Sequence, residues 1–121
     1  MFRITSLYSD LASQFVSLTI KSGAQSEGAN VCNEDTTGFY AFDIYIRHAN
    51  GISTWFRVYN GYDGIGVIKH PTVFNYWYGR RIYTDNGVLK HGKAFDQSAT
   101  VLNNNQEDAL VVAVIGIKKF S

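Results

Sequence analysis

The sequence is poor in cysteine, in proline and in charged residues. Its 121 residues include one cysteine and one proline, and 17% of them are charged. A single cysteine cannot form an intrachain disulfide, which excludes the small disulfide-stabilised scaffolds of secreted proteins. An apolar content of 45% with so little charge excludes an intrinsically disordered chain and a coiled coil. The length predicts a single domain over residues 1–121.

Long apolar runs and a targeting signal are also absent. The longest apolar stretch, residues 109–117, has nine residues, whereas a membrane-spanning helix needs roughly 18. No apolar segment of a signal peptide follows Met1. Eleven basic and ten acidic residues leave a net charge of +1, so we expect neither nucleic-acid binding nor membrane insertion. These features predict a soluble protein that is cytoplasmic or released without a signal peptide.

Motifs for catalysis and for metal binding are missing as well. The three histidines never fall at metal-ligand spacing, and neither Cys-x-x-Cys nor Gly-x-Ser-x-Gly occurs. The glycine-rich residues 61–66 lack the Lys-Ser/Thr and the following helix of a phosphate-binding loop. Cys32 has no basic residue near it in the sequence that would activate its thiol. We therefore expect a non-enzymatic protein without a cofactor or a metal.

In place of charge, the chain has aromatic residues and alternating patterns. Eight Tyr, eight Phe and two Trp make up 15% of the residues. Val16, Leu18 and Ile20 alternate with polar residues, as in a half-buried strand. Residues 110–115 are apolar without alternation, as expected of a strand covered on both faces. Seven to ten short strands without alternating helices predict an all-β fold, an antiparallel β-sandwich or a barrel-like variant of it.

The strongest local signal is a β-hairpin over residues 39–59. Its apolar and polar residues separate onto two faces only if the turn is a three-residue loop with Gly51 in the left-handed conformation. A two-residue Asn-Gly turn would mix the two faces. The predicted cross-strand pairs are Phe42 with Val58 and Ile44 with Phe56 towards the core, and Asp43 with Arg57 and Tyr45 with Trp55 on the outer face.

The remaining predictions for local structure concern residues 48–96. We expect a turn-rich loop over residues 60–66 and a strand over residues 72–78. The sequence Asp85-Asn86-Gly87 predicts a second hairpin turn of the same three-residue type. His48 and His91 are expected to be exposed to solvent.

The surplus of aromatic and amide side chains indicates carbohydrate binding. The C–H face of a sugar stacks on Tyr or Trp, and its hydroxyl groups pair with planar Asn, Asp and Arg side chains. An exposed Tyr45–Trp55 pair would be unusual without a partner surface, and polar loop residues follow this hairpin. The predicted ligand-binding residues are Asn60, Tyr62, Asp63, Tyr45, Trp55 and Arg57.

Basic and aromatic residues interleave at only one place, around Arg80 and Arg81. Tyr76, Trp77, Tyr78 and Tyr83 lie beside them in the sequence. Such a pattern also occurs in proteins that bind single-stranded nucleic acid, but the near-neutral total charge disfavours that function here.

Two segments resemble the fungal fruit-body lectins. In residues 50–62, Asn-Gly is followed by an alternating strand and by Tyr-Asn-Gly-Tyr, which is similar to that family's Asp/Asn-Gly, strand and Val-His-Asn-Tyr. Residues 104–116 are similar to its Glu-Gly-Asn-Asp-Leu and closing apolar strand. The resemblance implies a β-sandwich like that of the actinoporin pore-formers, binding of galactose- and N-acetylglucosamine-type glycans, and a sugar-binding Asn60. Because Tyr59 replaces the family's His and Gly61 is inserted, it does not imply the same sugar preference.

Together these features predict a lectin-like module that binds neutral glycans or glycoconjugates. Weak single sites favour a homo-oligomer, because several sites bind together far more tightly. Two other functions fit the same composition: a self-assembling, capsid-like sandwich with an aromatic subunit interface, and a membrane-acting toxin of the actinoporin type. Glycoside hydrolysis is the least favoured alternative and would need two convergent carboxylates from among Asp43, Asp63, Asp85 and Asp96.

Overall fold

Alternating apolar residues produce seven β-strands in the part of the chain that the structure describes. The structure is a computed structural model and describes residues 14–49, 51–98, 100 and 109–119. The strands are β1 (Phe15–Leu18), β2 (Phe39–Arg47), β3 (Ser53–Tyr59), β4 (Asp63–Lys69), β5 (Trp77–Asp85), β6 (Val88–Asp96) and β7 (Leu110–Lys118).

The strands form two sheets in which all neighbours are antiparallel. The first sheet has the strand order β1-β7-β2-β3, and the second has the order β4-β5-β6. The apolar core lies between the two sheets. The predicted all-β, sandwich-like fold is confirmed.

The hairpin of β2 and β3 has the register predicted from the separation of its faces. Its pairs include Phe42–Val58, Asp43–Arg57, Ile44–Phe56 and Tyr45–Trp55. Gly51 has a positive φ of 94°, and the His48 N–H donates to the Ile52 carbonyl at 2.7 Å to close the three-residue loop. A shift by one residue would turn every buried side chain of this hairpin to solvent, which is why the register is so well determined by the sequence.

The loop predicted to follow β3 is mostly strand, because β4 begins at Asp63. Glycine occupies two inward positions of β4, Gly64 and Gly66, and hides the alternation that marks a strand. A Cβ atom on Gly64 would lie 2.8 Å from the Arg57 carbonyl oxygen, and one on Gly66 would overlap the Phe56 ring. Glycine at these positions therefore allows β4 to approach β3 closely and brings the two sheets together.

β5 begins only at Trp77, so the strand predicted over residues 72–78 is mostly loop. His70 shapes this loop, since its Nδ1 atom accepts the backbone N–H groups of Thr72 at 3.2 Å and Val73 at 3.0 Å. These bonds turn the chain away from an extended path. Apolar and polar residues alternate in residues 72–78, but most of these side chains are exposed. Periodicity alone cannot distinguish such residues from those of a buried strand.

The hairpin of β5 and β6 has a two-residue turn where a three-residue turn is predicted. Asp85 pairs with Val88, and Asn86 and Gly87 between them have positive φ values of 49° and 79°. Two positive values define a type I′ turn, whose twist matches that of the flanking strands. The prediction of three residues is wrong because Asn and Gly both accept this conformation at low cost.

The segment between β1 and β2 links the edges of the two sheets. Ile20 pairs with Cys32 beside β1, and Asn30 pairs with Lys90 of β6. The Val31 N–H also donates to the Leu89 carbonyl at 2.8 Å. These bonds close one side of the sandwich in a barrel-like manner.

β7 lies inside the first sheet, between β1 and β2. Its inward residues Val111 and Val114 are buried, whereas Ala113 and Ile115 on the outer face are half-buried. β7 was expected to be covered on both faces, but only its inner face is fully buried.

Arg80, Gln25 and His91 are buried polar residues beside the apolar core. Arg80 Nε donates to the Ala109 carbonyl at 3.0 Å, and Arg80 Nη1 donates to the Gln25 carbonyl at 2.8 Å. The Gln25 side chain pairs with both backbone groups of Val111, at 2.9 and 2.8 Å. These bonds connect β5, β7 and the segment before β2. Burial lowers the pKa of Arg80 to about 10, which leaves the guanidinium charged at neutral pH.

The two histidines that are predicted to be solvated are not freely exposed. His48 is half-buried and packs on the Tyr78 ring with a centroid distance of 4.8 Å. His91 is 1% exposed, because its pairing with Ile82 directs the imidazole to the inner face of the second sheet. Burial and the nearby charge of Arg80 lower the pKa of His91 to about 4.

Replacing Gly66 by Ala should destabilise the protein, since the added Cβ would overlap Phe56 and lie 2.8 Å from Ile46 Cδ1. Overpacking of this kind costs about 1–3 kcal/mol. The measurement is the free energy of unfolding in urea. Gly38→Ala is the matched control, because a Cβ there meets no atom within 4 Å. Equal stability of the two variants would contradict the close packing of β4 on β3.

The free energy of unfolding should fall between about pH 6.5 and pH 4 because of His91. The folded state holds this imidazole at a pKa of about 4, whereas the unfolded chain has the ordinary value near 6.5. As the pH falls, the unfolded state takes up the proton first. The stabilisation that is complete above pH 6.5 is therefore lost towards pH 4, by up to about 3 kcal/mol.

Urea unfolding at several pH values tests this expectation on the wild type and on His91→Gln, which has no titrating group at this position. The variant should lose the slope between pH 6.5 and pH 4. Asp35 and Asp63 have pKa values below the ordinary 3.8, so they affect stability mainly below this window. The same slope in both proteins would assign the effect to another group.

Candidate functional site

The structure divides the six predicted ligand-binding residues between two opposite faces of the sandwich. Tyr45, Trp55 and Arg57 lie on the outer face of the first sheet. Tyr62 precedes β4, and Asp63 is an outward residue of β4 in the second sheet. Asn60 lies in the turn between the sheets. The six residues therefore do not form one site.

Asn60 uses both hydrogens of its amide group within the protein. Its Nδ2 atom donates to the Thr36 carbonyl at 2.8 Å and to the Phe39 carbonyl at 3.0 Å. These bonds connect the turn after β3 to the start of β2. Asn60 thus supports the turn that carries Tyr62.

The outer face of the first sheet satisfies most of its own polar groups. Arg57 contacts the Asp43 carboxylate with two bonds, from Nε at 2.7 Å and from Nη2 at 3.1 Å. This hydrogen bonding raises the pKa of Arg57 above its ordinary value. Tyr45 packs on Trp55 with a centroid distance of 4.7 Å, and its hydroxyl group hydrogen-bonds to Ser53. The outer face of the first sheet therefore presents mainly exposed aromatic rings to a partner.

A different polar group is assembled on the outer face of the second sheet, which we call the Asp63–Arg81 site. It is a shallow depression of about 320 Å³. Its lining residues are Gly61, Tyr62, Asp63, Arg81, Tyr83 and Thr84. The register of β4 and β5 brings them together, since Asp63 pairs directly with Tyr83 and lies diagonally across from Arg81.

An ion pair and two tyrosine rings define the chemistry of the Asp63–Arg81 site. Arg81 Nε donates to Asp63 Oδ2 at 2.7 Å, which lowers the pKa of the Asp63 carboxyl. The Arg81 guanidinium also lies 4.7 Å from the centroid of the Tyr83 ring, within cation–π distance. Tyr62 is 72% exposed at the rim. The site combines hydrogen-bonding groups of both signs with accessible aromatic surface.

The turn that presents Tyr62 is held in place by β5. The Gly61 N–H donates to Thr84 Oγ1 at 2.7 Å, and the Thr84 N–H donates to the Tyr62 carbonyl at 3.3 Å. Gly61 has a φ of 90°, a conformation that favours glycine. The side chains around the depression are therefore supported by the sheet rather than by a long loop.

The sequence predicts two members of the Asp63–Arg81 site and misses Arg81, Tyr83 and Thr84. Arg81 and Tyr83 do belong to the one interleaved basic and aromatic segment, so a signal for them exists. Because the segment from residue 63 is predicted to be a loop, the sequence offers no register that would place it beside β5.

A second depression of about 370 Å³ is formed by the loop between β4 and β5, residues 69–77. Beneath it, ring contacts connect His48, His70, Tyr76 and Tyr78, with centroid distances of 4.8 to 6.3 Å. Phe74 is 91% exposed on the same loop. This depression has no carboxylate in its lining and offers mainly apolar contact.

The described part of the chain has no group of three or more His, Cys, Asp or Glu side chains placed to hold a metal ion. Over the same residues, no helix is long and apolar enough to cross a membrane. Cys32 is buried, and desolvation together with the neighbouring Glu34 raises its pKa to about 11. Its thiol is therefore protonated and unreactive at neutral pH.

Comparisons of the chain with protein-family models, with curated proteins and with solved structures found no match. The resemblance to the fungal fruit-body lectins therefore stays a prediction. The function has to be inferred from the geometry of the site.

Replacing Asn60 by Ala should lower the free energy of unfolding, because the Thr36 and Phe39 carbonyls would lose their shared donor. Loss of such partly buried bonds costs about 1–3 kcal/mol. Urea unfolding measures the effect, and Asn33→Ala at an exposed position is the control. Unchanged stability with reduced ligand binding would instead give Asn60 the role that the lectin resemblance implies.

Proposed function

We propose that the protein is a non-enzymatic carbohydrate-binding module and that its Asp63–Arg81 site holds a neutral sugar unit. The observation that carries this proposal is the ion pair between Asp63 and Arg81 beside an exposed Tyr62 ring. Planar carboxylate and guanidinium groups match the adjacent hydroxyl groups of a sugar, and a tyrosine ring supports its C–H face.

The hydrogen-bonding capacity of the ion pair supports the proposal. A guanidinium has five N–H donors, and Arg81 uses one of them in its bond to Asp63. A carboxylate has acceptor sites on both oxygens, so Asp63 can still accept hydroxyl hydrogens. Because the two charges neutralise each other, this site favours hydroxyl groups over an ion.

The support from β5 is a second argument for binding at this site. Hydrogen bonds from Gly61 and to the Tyr62 carbonyl hold the turn in one geometry. Ordering a flexible loop would otherwise reduce the affinity for a ligand. A weak sugar site benefits from such preorganisation.

The outer face of the first sheet favours self-association as a second function. Phe15, Tyr40, Trp55 and Tyr59 are between 44% and 54% exposed there. Aromatic residues on one sheet face are typical of subunit interfaces. We propose that this face forms the homo-oligomer that multivalent glycan binding needs.

Glycan-array screening followed by titration calorimetry tests the sugar site. Tyr62→Ala and Asp63→Asn should each weaken binding about tenfold or more, the equivalent of roughly 1.4 kcal/mol. Both residues are exposed, so the variants should remain folded. Trp55→Ala, on the opposite face, is the matched control: it should retain the single-site affinity measured by calorimetry, even if it dissociates the oligomer. A folded wild-type protein that binds no glycan would refute the proposal.

A further inference from the structure

The two edges of the second sheet differ in how they are covered. At β6, residues 28–31 of the segment before β2 form hydrogen bonds along the strand. The Gly28 N–H donates to the His91 carbonyl at 2.8 Å, and the Val31 N–H donates to the Leu89 carbonyl at 2.8 Å. At β4, no segment in the described part of the chain forms such bonds on the side away from β5. β4 is therefore an open edge strand.

The hydrogen bonds at the two ends of β4 show which of its backbone groups face this open edge. The Tyr62 carbonyl accepts the Thr84 N–H at 3.3 Å, and the His70 N–H donates to the Tyr76 carbonyl at 2.7 Å. In an antiparallel ladder, residues that bond to the neighbouring strand alternate with residues whose N–H and C=O groups point away from it. The residues of β4 that present these groups to the open edge are Asp63, Ile65, Val67 and Lys69.

β4 lacks the features that usually protect an edge strand. Exposed edges commonly have charged residues, proline or a bulge, which prevent pairing with another chain. Residues 64–68 contain neither a charge nor a proline, and the pairing of β4 with β5 has no register shift that would mark a bulge. Ile65 is 52% exposed and Val67 is 42% exposed on the outer face. This stretch of β4 is therefore open to an added strand.

The sequence of β4 is complementary to itself in the antiparallel direction. If two copies of β4 pair about Gly66, Asp63 lies opposite Lys69 of the second copy, and Ile65 lies opposite Val67. The same pairs recur on the other side of the two-fold axis. All four residues have open backbone groups, so each pair can exchange two hydrogen bonds. The charged pairs then lie at the two ends and the apolar pairs lie in the middle, which stabilises the pairing of antiparallel strands.

Only the register centred on Gly66 uses all four residues. Because open backbone groups occur at every second position, the two-fold axis must pass through a residue of β4. An axis one residue earlier places Lys69 opposite Gly61, outside the strand. An axis one residue later places Asp63 opposite Pro71, which has no N–H to donate. Both shifts also remove the opposite charge from Asp63 and from Lys69.

Both charged side chains are available for these pairs. Asp63 and Lys69 are exposed, and Lys69 has no ion-pair partner among the described residues. Arg81 bonds to Oδ2 of Asp63. A carboxylate accepts hydrogen bonds on both oxygens, so Asp63 can bind a second cation. This charge complementarity identifies a second copy of the chain, rather than an unrelated peptide, as the strand that fits β4.

We propose that β4 forms the interface of a symmetric homodimer, in which two copies pair antiparallel about Gly66 and join their three-stranded sheets into one continuous sheet. Asp63 of each copy faces Lys69 of the other. This interface is separate from the aromatic face of the first sheet, and pairing along the edge leaves the outer face of the second sheet accessible. The inference does not rest on the proposed carbohydrate binding.

The first test is sedimentation equilibrium of the full chain with Trp55→Ala, which weakens association through the first sheet and leaves β4 unchanged. This background protein should still form a dimer. Asp63→Lys or Lys69→Asp, added to it, places like charges opposite each other at both ends of the interface. Each should raise the Kd of the dimer about tenfold or more. Lys93→Asp, an exposed charge reversal on β6, is the matched control and should leave the dimer unchanged.

An equimolar mixture of the two charge-reversal variants distinguishes the proposed register from a general loss of stability. Neither variant pairs well with itself, but in the mixed dimer every charge again faces an opposite charge. The mixture should therefore regain the affinity of the background protein. Circular dichroism checks that both variants are folded.

Hydrogen exchange of the wild-type protein tests the same edge without a substitution. The amide groups of Ile65 and Val67 face the open edge, so they should exchange slowly in the dimer and faster on dilution. The amide groups of Gly64 and Gly66 bond to β5 and should stay protected at every concentration.

Several results would overturn the inference. If Trp55→Ala is monomeric at every concentration, or if neither charge reversal weakens its dimer, β4 is not the interface. Loss of the dimer without recovery in the mixture contradicts the register about Gly66. Protected Ile65 and Val67 amides in a monomer would mean that a segment of the same chain covers β4. None of these measurements involves a sugar, so a failure of the proposed function leaves this inference intact.

Discussion

The close approach of β4 to β3 is the constraint on which the rest of the molecule depends. Gly64 and Gly66 let the backbone of β4 lie against Arg57 and Phe56 of β3. With glycine on the inner face, the alternate residues of β4 necessarily point outward. Asp63, Ile65, Val67 and Lys69 therefore share one surface with the outward residues of β5. The Asp63–Arg81 site and the exposed surface that continues from it along β4 and β5 both follow from this packing.

A buried polar network holds the second sheet to the remainder of the fold. Arg80 bonds to two carbonyl groups, and Gln25 replaces a missing strand partner for Val111. Such groups are costly to bury unless they are hydrogen-bonded, so the network also specifies where the segment before β2 lies. Because neighbouring residues of β5 point to opposite faces of the sheet, the Arg80 side chain lies in the core and the Arg81 side chain lies on the surface.

The parts of the fold that were predictable from sequence are those in which the two faces of a strand differ in polarity. The pairing of Ile44 with Phe56 and of Asp43 with Arg57 is the clearest case, since any other register mixes apolar and polar residues. β4 was not predictable in this way. Its inward positions include Gly64 and Gly66, which have no side chain whose polarity could be contrasted with that of the outward residues. The strand prediction for residues 72–78 is wrong for the opposite reason: apolar residues alternate in this segment although most of it is an exposed loop.

The same limits apply to the candidate site. Tyr62 and Asp63 were predictable because they follow a recognisable hairpin, whereas Arg81 and Tyr83 reach them only across a strand pair. The net charge of +1 also conceals an uneven distribution, with lysines collected on one face of the second sheet. A total charge describes solubility, but the charge of each face decides what that face attracts.

The opposite placement of the two outer faces has a geometric consequence for an assembled protein. If two copies associate through Trp55 and Tyr59 on the first sheet, a two-fold axis passes through that interface. The second sheets then point in opposite directions, away from each other. If the second sheets bind glycans as proposed, such a dimer would cross-link two separate surfaces rather than attach twice to one.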